Sequence, residues 1–183
     1  MNSIEQQQVL VWLNEVVIGL GLCPFSSKPV NENRVRLQVS TANREEDLLA
    51  ELLEEMELLD SVPATEVETT LFIIPNALGD FFDYTQFLDW SQSRLKRRGW
   101  LGIYQLATFH PDYCFAGTHA DDDENLTNRS PYPIVHIIRE ASLEKALEFF
   151  NGVEDIPERN KARMEALSVE QKRALFPYLF AHK

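Results

Sequence analysis

Thr70–Ile74 (TLFII), closed at once by Pro75 and Asn76, is the stretch on which the fold turns. Its residues are β-branched, aromatic or aliphatic with no polar alternation, as in a strand covered on both faces. Pro75 and Asn76 then stop it. Upstream, Arg44 to Leu59 carries Leu48, Leu49, Leu52, Leu53, Met56 and Leu59 at helical spacing. Asn43 and Glu46 have the offset of a capping pair for that helix. Before it, Val35–Ser40 alternates Val35, Leu37 and Val39 with Arg36, Gln38 and Ser40, the pattern of a half-buried or edge strand. Downstream, Asp80 caps a third helix with Phe81, Tyr84, Phe87, Leu88 and Leu95 inward. That helix ends in Arg94, Lys96, Arg97 and Arg98 before Gly99, cations that a helix dipole favours in the last turn. Ile103–Phe109 reads as the next strand.

The flanks complete the order. A first helix is expected from Ile4 to about Leu20, with Ser3 and Gln6 as capping box and Gly21 as its stop. Ile134–Arg139 (IVHIIR) reads as a fourth strand, although Ser130-Pro131 upstream would also suit a helix start. A helix over about Leu143 to Phe150 and two short tail helices follow, the second opening at Ser168–Gln171 and broken near Pro177. The expected class is α/β (or α+β): a mixed sheet of about four strands, the first three parallel, with helices packed on it. One domain over 1–150 and a helical tail over 151–183, joined at Asn151–Pro157, account for all 183 residues. The parallel arrangement follows from the crossover rule for strand, helix, strand. It brings Ser40-Thr41, Pro75-Asn76-Ala77 and His110-Pro111-Asp112 to one rim, the edge at which open α/β sheets bind ligands.

Charge narrows the partners. With 17 basic and 29 acidic residues the formal charge is −12. Such a chain is poorly suited to bind nucleic acid through phosphate neutralisation or to rest on an anionic membrane. Cys23 and Cys114 are too few for a disulfide framework. The first residues, MNSIEQQQVL, lack the basic and apolar segments of a secretion signal, and no apolar run approaches a membrane span. A cytoplasmic location is expected.

Residues 109–133 (FHPDYCFAGTHADDDENLTNRSPYP) are long for a loop without periodicity, and they leave the carboxyl end of a strand. His110, followed by Pro111-Asp112, has the residue types of a general base and its orienting carboxylate. Arg129, beside Ser130, suits a phosphate or carboxylate; Asn125 and Asn128 would position it, and Arg36 could converge from the first strand. Asp121, Asp122 and Asp123 offer oxygens to a divalent cation such as Mg, although the calcium-loop pattern fails at Leu126 and Tyr132. His110, Cys114 and His119 match no zinc spacing. Cys23 follows the C-terminal end of the first helix, where the dipole raises a thiol pKa, so it reads as either a buried structural thiol or a nucleophile. For every one of these residues the alternative is structural: Asx turns, caps, salt bridges between Arg129 and the acids, and solvated carboxylates.

Gly19–Phe25 (GLGLCPF), His110–Tyr113 (HPDY), Phe115–Thr118 (FAGT), Asp121-Asp122 and Thr127–Pro133 (TNRSPYP) resemble the segments of a bacterial family catalogued as domain of unknown function 1415. The likeness runs from the first helix to about Phe150. It implies kinship and brings no reaction with it. Two readings therefore stand. One is a small-molecule enzyme, hydrolytic or group-transferring, acting on an anionic metabolite at the loop. The other is a non-catalytic ligand- or protein-binding module that uses the same loop, with Tyr113, Phe115 and Tyr132 as anchors.

Overall fold

The computed structural model describes residues 2–148, 150 and 152–180. Four strands, β1 (Val35–Val39), β2 (Thr69–Ile73), β3 (Tyr104–Phe109) and β4 (Ile134–Arg139), form one open sheet in the order β1-β2-β4-β3. All five residues of β2 are buried, in keeping with its uninterrupted apolar sequence. Ile134–Arg139 is strand, not helix.

The expected run of three parallel strands is corrected here. Only β1 and β2 pair in parallel, with Leu37 opposite Leu71. β4 lies between β2 and β3, antiparallel to both, its His136 facing Leu71 on one side and Ala107 on the other. The connection from β2 to β3 steps over one strand position, and the more deeply buried β4 returns to fill it, a split βαβ arrangement. Two successive reversals still leave β3 running the way β2 does. The ends of β1, β2 and β3 and the start of β4 consequently lie on one edge.

Helices cover both faces. On one, α3 (Glu45–Ser61) and α4 (Phe81–Arg98) pack Leu48, Leu52, Met56, Tyr84, Phe87 and Leu95 against Phe72, Ile74, Val135 and Ile137. On the other, α1 (Ile4–Trp12), the turn that continues it and the tail bring Val9, Trp12, Val16, Met164 and Phe176 onto Leu71, Ile73 and Ile134. Alternation along the strands makes this possible, odd residues of β2 facing one layer and even residues the other.

Ser3 and Gln6 form the anticipated capping box, but α1 gives way at Leu13–Ile18 to a π-helical turn. The wider turn keeps Trp12, Leu13, Val16 and Val17 all buried. It also crowds Gly19, where an added Cβ would meet the Glu15 carbonyl at 2.3 Å. The Asn43–Glu46 cap does not form: α3 starts at Glu45 from an extended Arg44 without a side-chain cap, and Glu45, Glu46 and Asp47 complement its dipole instead. Asp80 and the left-handed Gly99 bound α4 as expected. A short helix, α2 (Ser27–Asn31), was not foreseen. α5 (Glu140–Leu147) starts directly from β4, before the anticipated Leu143; Phe149, within the expected helix, lies outside the described residues. So does Asn151, the first residue of the expected junction. α6 (Ile156–Glu165) and α7 (Val169–Leu175) form the tail, the latter with a Ser168–Gln171 capping box. Among the described residues no helix is long and apolar enough to cross a membrane.

Candidate functional site

β3 ends at Phe109, and its next residue enters the interior. His110 is fully buried, under Phe81 and Tyr84 of α4 at ring distances of 5.3 and 5.1 Å. The backbone N–H of Asp112 donates to Nδ1 at 2.9 Å, which leaves the proton on Nε2, and Nε2 donates to the Leu78 carbonyl, also at 2.9 Å. Burial holds the imidazole below its ordinary pKa; the Arg129 charge acts in the same direction, while the Leu78 bond, Asp112 and Asp80 oppose it. A neutral histidine with both nitrogens engaged is therefore built into the rim. The Leu78 bond ties the end of β3 to the segment that follows β2. Asp112 meets His110 through its main chain, and its side chain is exposed.

The loop is cross-braced. Asn125, fully buried, accepts from the Phe115 N–H at 2.9 Å and the Thr118 hydroxyl at 3.0 Å, and donates to the His119 carbonyl at 2.7 Å. Asn128 donates to the Thr108 carbonyl at 3.1 Å and accepts the His110 N–H on its own carbonyl, covering the upper edge of β3. The hydroxyl of Ser130, fully buried, is turned onto the Tyr132 carbonyl. These three polar side chains are spent inside the protein.

Arg129 differs. Its Nε donates to the Tyr113 carbonyl at 3.2 Å and its Nη2 to the Ala120 carbonyl at 2.6 Å. Among the described residues no carboxylate pairs with it; two neutral acceptors stand where the structural alternative has a salt bridge to the neighbouring acids. Its own carbonyl receives the Trp12 indole N–H at 3.0 Å and the Tyr178 hydroxyl at 3.1 Å. Trp12 and Tyr178 were missed from sequence, because partners 117 and 49 residues away leave no local signal.

The other candidates are placed elsewhere. Arg36 does not converge on the loop: its guanidinium grips the buried Glu55 of α3 through Nε at 2.7 Å and Nη2 at 3.0 Å. It belongs to β1, which two strands, β2 and β4, separate from β3. Cys23 is half-buried against the α1-side core, and burial pushes its thiol pKa up, opposite to what a nucleophile needs. Asp123 pairs with Lys172 at 2.6 Å and Glu124 with Lys161 at 3.0 Å, while Asp122 accepts the His119 N–H at 2.8 Å. The Asp122 and Asp123 carboxylates are therefore drawn to separate partners, and no group of three or more His, Cys, Asp or Glu side chains suited to a metal occurs among the described residues. Neither His110 nor Arg129 lines either of two surface hollows. One, of about 390 Å³, is lined by Asp121, Asp122, Asp123, Glu124, Lys161 and Glu165. The other, of about 260 Å³, lies between α1 and the outer edge of β1.

A family described as "Protein of unknown function (DUF1415)" matches over residues 4–174, nearly the whole length. Neither the curated proteins nor the solved structures contain a match.

Proposed function

This chain belongs to the DUF1415 family, and taking that kinship as the starting point we propose that its 109–133 loop is a preorganised binding platform for a small anionic ligand, with Arg129 as the recognising charge. One observation carries the reading: a guanidinium held from two sides by neutral carbonyls, with no carboxylate within salt-bridge distance among the described residues, in a chain of net charge −12. Two of its five N–H groups fix its orientation and the rest remain for a phosphate or carboxylate. His110, Asn125, Asn128 and Ser130 stiffen the platform, so little ordering cost falls on binding. In this reading one domain over 1–150 carries the platform and a helical tail over 151–183 packs on it. Two free thiols fit the reducing cytoplasm.

The hydrolytic or group-transfer reading draws on the exposed Asp112 carboxylate, whose charge acts on His110. It requires His110 to release the Asp112 N–H or the Leu78 carbonyl before an imidazole nitrogen can take or give a proton. The geometry therefore favours binding over catalysis.

Thermal unfolding of the wild-type chain and Arg129→Gln with inorganic phosphate, phosphorylated metabolites, dicarboxylates and Mg tests this. A ligand at about 100 times its Kd stabilises by about 2.7 kcal/mol. The expected outcome is a rise in wild-type Tm with one anion class and none in the variant. A flat screen removes the proposal, and turnover of a stabilising ligand that is lost in His110→Gln replaces it with the catalytic reading.

A further inference from the structure

The opposite end of α4 carries a feature that the loop does not explain. After Gly99 (φ 77°) the chain makes a tight turn through Gly102 (φ 83°) into β3. The turn is anchored from within: the Trp100 indole and the Tyr104 hydroxyl donate to the two oxygens of Asp60 at 2.6 and 2.7 Å. The Trp100 carbonyl accepts both the Ile103 and Tyr104 N–H groups at 3.0 Å. Yet the two residues that alternate with these anchors point outward, Leu101 64% and Ile103 48% exposed. Leu101 lies within five residues of Lys96, Arg97 and Arg98, and Ile103 within seven. Arg98 pairs with Glu57 at 3.0 Å, and among the described residues Lys96 and Arg97 pair with no carboxylate. Glu140, whose N–H bonds the Ile103 carbonyl, borders the patch.

The helix dipole accounts for cations in a last turn. It gives no reason for two large aliphatic side chains held in water by a braced turn, and a fixed apolar knob rimmed with charge is the layout of a protein contact. We propose that the α4–β3 corner is a docking site for an acidic amphipathic segment of a partner protein. Leu101 and Ile103 would enter that segment's apolar stripe, and Lys96 and Arg97 would face its carboxylates. Charge complementarity selects the occupant: on a molecule of net charge −12, a concentrated cationic corner is where an acidic partner can approach. The rigid turn presents the knob without a folding step.

The test is fluorescence anisotropy of the full chain with a fluorescein-labelled amphipathic helix of leucine, alanine and glutamate. A control peptide carries glutamine for glutamate. Saturable binding of the acidic peptide, weakening with added salt and absent for the control, is expected. The double variant Lys96→Glu/Arg97→Glu loses at least tenfold in affinity, and Leu101→Ser/Ile103→Ser loses several-fold with far-ultraviolet circular dichroism unchanged. All four residues are exposed, so folding should survive either pair. No saturable binding, or binding indifferent to Lys96→Glu/Arg97→Glu, overturns the proposal. Binding of phosphatidylglycerol vesicles or duplex DNA in place of the peptide overturns it too.

Discussion

Asn125 shows how a polar residue in a loop can belong to the interior. Its side chain serves three partners, the Phe115 N–H, the Thr118 hydroxyl and the His119 carbonyl, at no exposure. Asn125→Ala strands a buried N–H and a carbonyl, and unfolding in urea should register a loss of about 2–4 kcal/mol. A variant as stable as wild type would show that the loop braces itself by other means. His136 is the other residue with a measurable signature. Its Nε2 meets the Thr69 hydroxyl at 2.6 Å, and burial pushes its pKa down to about 4. In the fold it stays neutral above that value, whereas in the unfolded chain it takes a proton below about pH 6.5. Acid therefore favours unfolding between those two values, and at pH 5 the group costs about 2 kcal/mol. His136→Gln keeps a donor for Thr69 without a titrating ring. Between pH 7 and pH 5 wild type should lose about 2 kcal/mol more than the variant; equal losses contradict the assignment. The sequence marked Asn125, Asn128 and Ser130 by type and position, but their purpose depends on carbonyls and amides at 108, 115, 119 and 132, which only the folded chain brings near.

Elements join through a few decisive contacts. β1 is tied to α3 by Arg36 and Glu55, the carboxylate buried and the guanidinium about one-third exposed. Arg36→Ala leaves Glu55 alone in a low-dielectric setting and should cost about 2 kcal/mol, at the lower end for a broken internal pair because water reaches one side. The same variant should bind phosphate as wild type does; weakened binding would return Arg36 to the site. Helix ends were legible where the cap lies in neighbouring residues, as at Ser3, Asp80 and Ser168. The start of α3 was not, because Arg44 is extended and its acids complement the dipole without a side-chain bond. The π turn after Trp12 was hidden as well: the apolar spacing from Val9 to Leu20 suits a continuous helix, and only packing on the sheet shows where an extra residue is absorbed. Strand identity followed from side-chain type in all four cases. Strand neighbours did not, since the crossover rule gives direction and leaves open how many positions the crossover passes.

At the scale of the molecule, the tail is part of the core. Met164 and Phe176 are fully buried beside Trp12 and Val16, and Lys161 and Lys172 reach Glu124 and Asp123 in the loop. A chain ending at Glu148 should therefore lose cooperative thermal unfolding and bind the hydrophobic dye ANS, while the full chain does neither. A sharp transition in the truncated form would make the tail an accessory. The middle seat of β4 has a consequence for how the protein is made. Residues 134–139 emerge from the ribosome after every other strand, and the sheet has a vacant centre until they do. Nascent chains halted before Ile134 would carry β2 and β3 with facing, unmatched edges, the state in which holdase chaperones find clients and in which a slow codon or a premature stop does most harm.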